Sequence, residues 1–518
     1  MNSSPVCVGC SRRRFLARCA ACMGSLAAGG LLVPRTGRAA GASERRPRVR
    51  LVFCETSNDK PIWPNIGYDF GVRRRLLTDL LTRACPEIEF LPVTLMDAPD
   101  EAAGVLKDDA AVDGYLICVQ GLGWRNDIAK LCATGKPTLL ADNLFGGSGL
   151  FLTRLPAIMR AAKPVDWVSS SKDEDIVASA RNFALIGKGK SAEEVAAAFR
   201  ATRREGTPEI KDWDCVSDEI PPPNFDEVLR RLRETKLVVV GGGRGGPAFC
   251  DAAKNTVGIE FVQVPFEELA AAYREADRSA AAKFAACWAD AAESATGIGG
   301  AELERCGAMY GAMKLLMEKH GARGISVNCL GGFYGGHMEA YPCLGFSQLN
   351  NDGFVGGCEA DQMSALTMAT MGALIQRPGF ISDPVIDTSK NEIIYAHCVA
   401  MTKPFGTGGK SNPYRIRTHS EDRKGAAIQS LLPAGYMTTT LEINPIARQV
   451  LVHQAKTTGN SDSDMACRTK LRAAVKGSIE KLTEEWRLGW HRVTFYGDIR
   501  DTVAELASRL KFELIQEA

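Results

Sequence analysis

Four side chains in the last third of the chain have the chemistry of a cation site: Glu359, Asp383, His397 and His491. Carboxylate oxygens are hard, anionic ligands and imidazole nitrogens borderline, neutral ones. A mixed set suits a divalent ion such as Mn²⁺ and leaves coordination positions open for substrate oxygens. Two acids beside one cation can also hold different protonation states, the condition for moving a proton between neighbouring atoms. Each residue has a plainer structural account. Glu359 can be a charge favoured at a helix start, Asp383 a turn residue before Pro384, and both histidines satisfied core imidazoles.

These residues need elements that bring them together. Residues 358–397 begin with a loop carrying Glu359, followed by Gln362–Ile375, apolar and long enough for a helix, and a stop at Arg377 and Pro378. A short strand then delivers Asp383, and the DTSKN turn (387–391) feeds a second strand that ends at His397. His491 opens another strand-like run in LGWHRVTFY (488–496). All four fall at or near element ends, where side chains can converge.

In this order and spacing the chain resembles the L-fucose isomerase and L-arabinose isomerase superfamily over most of its length after the N-terminal segment. The likeness is strongest in CLGFSQLNNDGFVGGCEAD (343–361), in Asp383 placed 24 positions after Glu359, in IIYAHC (393–398) and in GWHRVTF (489–495). The resemblance implies that Glu359, Asp383 and His491 match metal ligands of both groups, whereas His397 matches only the arabinose isomerase pattern. It further implies that Glu359 and Asp383 double as catalytic acid and base in aldose–ketose isomerisation through an enediol. The implied cofactor is a divalent metal, Mn²⁺ before others, and the implied assembly a homo-oligomer, trimer or hexamer. The resemblance implies a free pentose or deoxyhexose as substrate, and the absence of a basic cluster speaks against a phosphosugar. Two features depart from the family: an export signal, where its best-known members are cytosolic, and the lack of a clear early basic residue for the sugar, Lys60 being the nearest.

The export signal is read from Ser11-Arg-Arg-Arg14-Phe-Leu16, the apolar run from Cys19 to Val33 and the small residues Ala40-Gly-Ala42. This is the pattern of twin-arginine export to the periplasm or outside the cell, and the run is too short and Gly-rich for a comfortable span. Cys7-x-x-Cys10 and Cys19-x-x-Cys22 imitate metal-binding spacing but lie in the segment expected to be removed. The remaining cysteines sit mostly in apolar contexts and read as core thiols. Loss of residues 1–42 removes six arginines and no acids, taking the formal charge from +2 to −4. A mildly acidic body of mixed sign gives no electrostatic case for nucleic acid, or for a membrane after processing.

After the signal, residues 43–165 read as an N-terminal α/β domain and 166–350 as a second, with a polar surface insertion near 190–230. Residues 351–518 read as a β-rich domain carrying most of the metal ligands. Strand patterns at 49–55, 88–93, 114–119 and 136–142 alternate with helical ones, which predicts a parallel sheet. A helix-like segment spans 164–188. The predicted fold class is therefore α/β, two Rossmann-like parallel-sheet domains followed by a β-rich C-terminal domain.

Further residues lie where strands deliver loops to a ligand. Trp124 follows the third strand. The resemblance puts an aromatic there that reaches a neighbouring subunit's site, while packing under its own loop is the alternative. Asn328 ends a strand and can bond a sugar hydroxyl. His419, with Arg415 and Arg417, can line a polyol pocket or form a solvated strand edge. His337 reads as an exposed loop residue, and His320 and His453 as structural or exposed.

Lys236–Val240 runs into Gly241-Gly-Gly243-Arg-Gly-Gly246 before a helix start at Pro247, a strand, G-x-G-x-x-G, helix order with Glu260 and Glu267 downstream. It admits a dinucleotide. A tight turn is the preferred reading, and no cofactor-binding residues are assigned. Two other classes thus compete with the isomerase: an exported sugar-binding protein, and a nicotinamide-dependent sugar oxidoreductase using Gly241–Gly246.

Overall fold

The computed structural model describes residues 45–518; the expected export signal and its four cysteines lie outside the described residues. Among the described residues no helix is long and apolar enough to cross a membrane. Residues 46–518 form one compact unit.

The first lobe is a parallel sheet of Arg48–Cys54 (β1), Glu89–Leu95 (β2), Gly114–Val119 (β3), Thr138–Asp142 (β4) and Val165–Val168 (β5), in the order β2-β1-β3-β4-β5. Every residue of β3, β4 and β5 is buried, as expected where helices cover both faces. Two sequence expectations need correction here. The segment 164–188 is not helical throughout: β5 comes first, and Asp173–Ala180 is the first helix after it. The polar stretch 191–228 is not simply a surface insertion. Its first part is helix Ala192–Gly206, closed by a capping box in which Ser191 and Glu194 exchange hydrogen bonds. That helix buries Val195, Phe199 and Arg203, and Arg203 pairs with the buried Asp166 at 3.0 Å while lying over Trp167. The polar composition belongs to its solvent face. The first sheet therefore extends past residue 165, where the domain boundary was expected.

Residues 207–224 carry no helix or strand and cross to the C-terminal region, where Val216 N–H meets Gly435 O at 2.8 Å and Asp218 holds Arg377 through two oxygens. The second lobe contains Lys236–Val240 (β6), Glu260–Val264 (β7), the two-residue Ser294–Ala295 (β8), Gly324–Val327 (β9) and Val355–Gly357 (β10). Its parallel sheet runs β10-β9-β6-β7, so the lobe reaches beyond residue 350. Strand β8 instead joins a small sheet with Tyr414–Arg417 (β13) and Ala427–Ser430 (β14).

The C-terminal region is a barrel. Phe380–Asp387 (β11), Glu392–His397 (β12), Met437–Asn444 (β15), Gln449–Asn460 (β16), Thr469–Lys476 (β17) and Arg492–Tyr496 (β18) pair in the order β15-β18-β11-β12-β17-β16. A β15–β16 pairing closes the ring, and Glu513–Gln516 (β19) adds in parallel to β16. Closure satisfies the backbone groups that an open sheet leaves at its edges. Parallel α/β sheets followed by β-rich structure is the class predicted from sequence.

Ten of the thirteen described cysteines are buried, Cys215 and Cys250 are partly so, and Cys287 is exposed; none of these thirteen forms a disulfide. His453 is structural. Its Nε2 is 2.9 Å from Tyr395 OH and its Nδ1 2.9 Å from Glu517. Arg492, fully buried, donates to the same Glu517 at 2.6 Å. Burial works to raise the Glu517 pKa, but Arg492 and His453 hold it at about 2.

Glu517→Gln leaves the Arg492 guanidinium buried without its counter-charge. We expect it to lose about 3–5 kcal/mol of unfolding free energy at neutral pH, read from denaturant midpoints. The folded pKa lies below the unfolded one, so the carboxylate's contribution is complete above the ordinary Glu range. The gap between the two proteins should narrow as pH falls from there toward about 2.

Candidate metal centre

Glu359 comes from the second lobe and the other three candidates from the barrel. Glu359 lies two residues past β10, and both it and Ala360 are left-handed, with φ of 58° and 49°. Two consecutive non-glycine residues in that region cost roughly 1–2 kcal/mol each. The turn is tied down by Ala360 N–H to Val327 O at 2.9 Å. Asp361 then caps helix Gln362–Ile375, accepting from Met363 N and Ser364 N at 3.0 and 3.1 Å. Within the barrel, Ser382 pairs with Arg492, and continuing that antiparallel register by one step sets Asp383 opposite His491. His397 ends β12 beside them.

The buried His491 is held from both sides. Its Nδ1 is 2.8 Å from Asp361 Oδ2, so Nδ1–H donates to that carboxylate and the lone pair is left on Nε2. Nε2 faces Asp383 Oδ1 at 2.9 Å, off the line of a hydrogen bond, and Glu359 Oε2 at 3.9 Å. A lone pair against two carboxylates needs positive charge between them, a proton or a cation. Burial works to lower the His491 pKa, yet Asp383, Asp361 and Glu359 together raise it well above the usual range. Asp361, which burial alone would raise, is held at about 2 by His491. A carboxylate that orients an imidazole toward an open position is the support metal-ligating histidines have.

Asp383, His397 and His491 present ligand atoms within 4.8 Å of one another, as do Cys358, Glu359 and His397. The rings of His397 and His491 are 5.6 Å apart, and His397 Nε2 is buried with no hydrogen-bond partner. Its Nδ1 accepts from Cys398 N–H at 2.8 Å. Thiols stand behind the acids, with Cys467 donating to Asp383 Oδ2 at 3.6 Å and Cys358 Sγ meeting Cys329 Sγ at 3.3 Å. Hard oxygens and an oriented imidazole fit a divalent cation.

Arg244, from the Gly-rich loop, reaches Glu359 Oε2 at 2.5 Å with its side chain 59% exposed. The glycines of that loop have a packing reason. A Cβ on Gly243 would meet Gln362 Oε1 at 2.2 Å and one on Gly241 would meet Phe266 at 2.2 Å. Gly245 N–H, one of the groups a phosphate would need, is spent on Gln362 Oε1 at 2.9 Å. This favours the tight-turn reading over the dinucleotide one.

The other sequence candidates separate. Trp124 is 43% exposed and packs edge-on against Trp490 at 6.1 Å, Trp490 being stacked beside His491, so it adjoins the centre within its own chain. Asn328 caps helix Cys329–Tyr334 through Gly331 N and donates to Gly241 O, so its amide serves the backbone. His419 is buried, bonded to Asp422 at 3.1 Å and packed by Phe333 and Tyr341. Burial works to lower its pKa, but Asp422 and Cys398 raise it to about 9. Arg417 pairs with Asp464, and Arg415 with Glu293 and Asp462. Lys60 is exposed. His337 is exposed and stacked on Phe266, and His320 pairs with Glu268. Sequence reasoning missed Asp361, Arg244 and Trp490. Asp361 carried a signal, an acid immediately before an apolar helical run; the other two did not.

Fold and centre together define a protein of two parallel-sheet lobes and a barrel, with a carboxylate–imidazole cluster at the join of second lobe and barrel. No family model matches the chain. It is similar to sulfoquinovose isomerases of Priestia aryabhattai and Priestia megaterium, each 24% identical over 308 residues. These matches take in 56% of this chain and 66% of each relative, just under two thirds of the relatives' length. A solved solute-binding protein of an ABC transporter from R. palustris, in complex with benzoate, matches 42% of this chain and 61% of its own at 17% identity. Its TM-score of 0.17 is too low to bear on architecture or function.

Asp361→Asn keeps the shape and removes the charge that fixes the His491 tautomer. We expect Mn²⁺ affinity, measured by calorimetric titration, to fall about 10–100-fold. An unchanged affinity would show that His491 is not oriented for a cation.

Proposed function

We propose that this protein is a metal-dependent aldose–ketose isomerase acting on a free pentose or deoxyhexose through an enediol. The observation that carries the reading is the imidazole of His491, its Nδ1 on Asp361 and its Nε2 lone pair turned toward Asp383 and Glu359. The distant similarity to two sugar isomerases supports the same class. Glu359, Asp383 and His491 would hold the cation, Mn²⁺ by the hardness of the set, beside His397. When bound, the cation supplies Lewis acidity that favours negative charge on a sugar oxygen.

The chain's own groups then carry the proton. One of the two carboxylates, Glu359 or Asp383, takes the proton from C2 as that C–H pair forms the C1–C2 double bond and the carbonyl pair moves to O1. Transfer of the hydroxyl proton from O2 to O1 and return of the carbon proton to C1 complete the ketose. Trp124 and Trp490 stand next to His491 and could meet the apolar face of a sugar, with the buried Trp63 packed behind Trp490. The oligomer implied by the resemblance and the export implied by residues 1–42 belong to the same proposal.

Arg244 favours a second reading of the substrate. With a dication on Glu359, this guanidinium is free to face the site mouth and match an acidic group on the sugar. The sulfonated sugar in the relatives' name is of that kind.

Mn²⁺-loaded protein offered neutral pentoses and deoxyhexoses alongside sulfonated and phosphorylated hexoses should convert at least one aldose to its ketose. Glu359→Gln or Asp383→Asn should lower kcat at least about 100-fold. If the substrate is acidic, Arg244→Ala should raise KM for it and leave neutral sugars unaffected. Absence of conversion across the panel would overturn the isomerase reading.

A further inference from the structure

We infer that His397 is not a ligand of the cation but a hydrogen-bond donor aimed at the sugar oxygen that becomes negative during the reaction. The inference begins with a backbone group. Cys398 N–H points at His397 Nδ1 from 2.8 Å, and that N–H can only donate. The Nδ1 lone pair is thereby used. In the neutral ring the proton must then sit on Nε2, because a proton on Nδ1 would set two donors against each other.

His491 shows the opposite wiring a few ångströms away. Its Nδ1 faces a carboxylate oxygen, which fixes the proton there and exposes the Nε2 lone pair. One imidazole of the pair therefore offers a lone pair to the centre and the other offers an N–H. A cation needs the first and is repelled by the second. Matching residue types along the chain cannot make this distinction, since both residues are histidines in barrel elements.

The Nε2–H of His397 has no protein partner and is buried, with the residue only 2% exposed. A buried donor without a partner costs roughly 1–3 kcal/mol. The fold tolerates that cost in a ring with a nitrogen within 4.8 Å of the ligand atoms of Asp383 and His491, the place this inference gives to a bound sugar's oxygens. Donors preorganised where charge develops are the usual means of stabilising an oxyanion. No bond to hydrogen is broken at the ring. His397 keeps its proton, strengthens its hydrogen bond as the carbonyl electron pair moves to oxygen, and weakens it when the carbon is reprotonated. The second group of metal-capable atoms, Cys358, Glu359 and His397, loses its imidazole by the same argument.

The catalytic half of this inference rests on the isomerase reading, and the coordination half does not. Protein labelled with ¹⁵N-histidine and loaded with diamagnetic Mg²⁺ should give a His397 resonance, assigned by its loss in His397→Gln, with the proton on Nε2. A proton on Nδ1 would overturn the inference. Pulsed EPR of the Mn²⁺-loaded wild type, which needs no variant to fold, should count one directly bound imidazole nitrogen; two would overturn it. Mn²⁺ affinity in His397→Phe should stay within about threefold of wild type, while His491→Ala loses at least 100-fold. On a sugar that the wild type converts, His397→Phe should lower kcat about 100-fold with KM little changed, and His397→Gln, which retains an N–H, should recover part of it. An unchanged kcat would overturn the contact with the reacting oxygen. If the wild type converts no sugar, the isomerase reading fails, and the NMR and EPR results still decide whether His397 is a donor or a ligand.

Discussion

The centre depends on one hydrogen bond, from His491 Nδ1 to Asp361, because it spans two pieces of the fold. Asp361 is anchored as the cap of a helix that leaves the second lobe, and His491 enters a strand of the barrel. Their 2.8 Å contact fixes which nitrogen carries the proton and so what the buried imidazole can offer. Without the carboxylate the ring could choose its tautomer by the demands of Asp383 alone, and the lone pair would have no reason to face the acids. The same residue thus ends a helix, joins two structural units and sets the chemistry of a third residue.

Holding that contact requires the barrel and the lobes to dock rigidly. On the barrel side Arg492 is locked by Glu517, with Trp486 over its guanidinium, so the residue after His491 cannot shift without exposing a buried ion pair. On the side before it, Trp490 presses onto Gly149 of the first lobe, where a Cβ would come within 2.1 Å of the indole. That glycine is fixed by close approach and not by backbone conformation. His491 is clamped between these two contacts. In the second lobe, the left-handed turn at Glu359 and Ala360 and the packing of Gln362 into the Gly-rich loop play the corresponding part for Glu359.

Much of this was legible in the residues, and the misses have physical causes. The parallel lobes showed themselves as short buried runs separated by helical periods, and the β-rich region as a succession of strand patterns. Val165–Val168 was hidden because a four-residue run of three apolar side chains and Asp166, beside a helical segment, is too short to show a period of its own. Helix Ala192–Gly206 was mistaken for surface because its buried stripe includes Arg203, an arginine that is inside only because Asp166 and Trp167 are there to receive it. The glycines at 241–246 admitted a phosphate cradle beside the preferred turn until a side chain more than a hundred positions away was found packed against them.

By itself the sequence determined the fold class, the helix that Asp361 caps, and a short set of acids and imidazoles able to hold a cation. Composition and local period carry that information because the face an element buries repeats with the element's own period and its ends are marked by capping residues. It did not determine what each imidazole can do. That depends on the atom opposite each ring nitrogen, and those atoms are supplied by backbone and side chains brought together by barrel closure and domain docking. A carboxylate from 130 positions away makes His491 a lone-pair donor, and the N–H of the next residue makes His397 an acceptor at Nδ1. Only the tertiary structure could tell these two histidines apart.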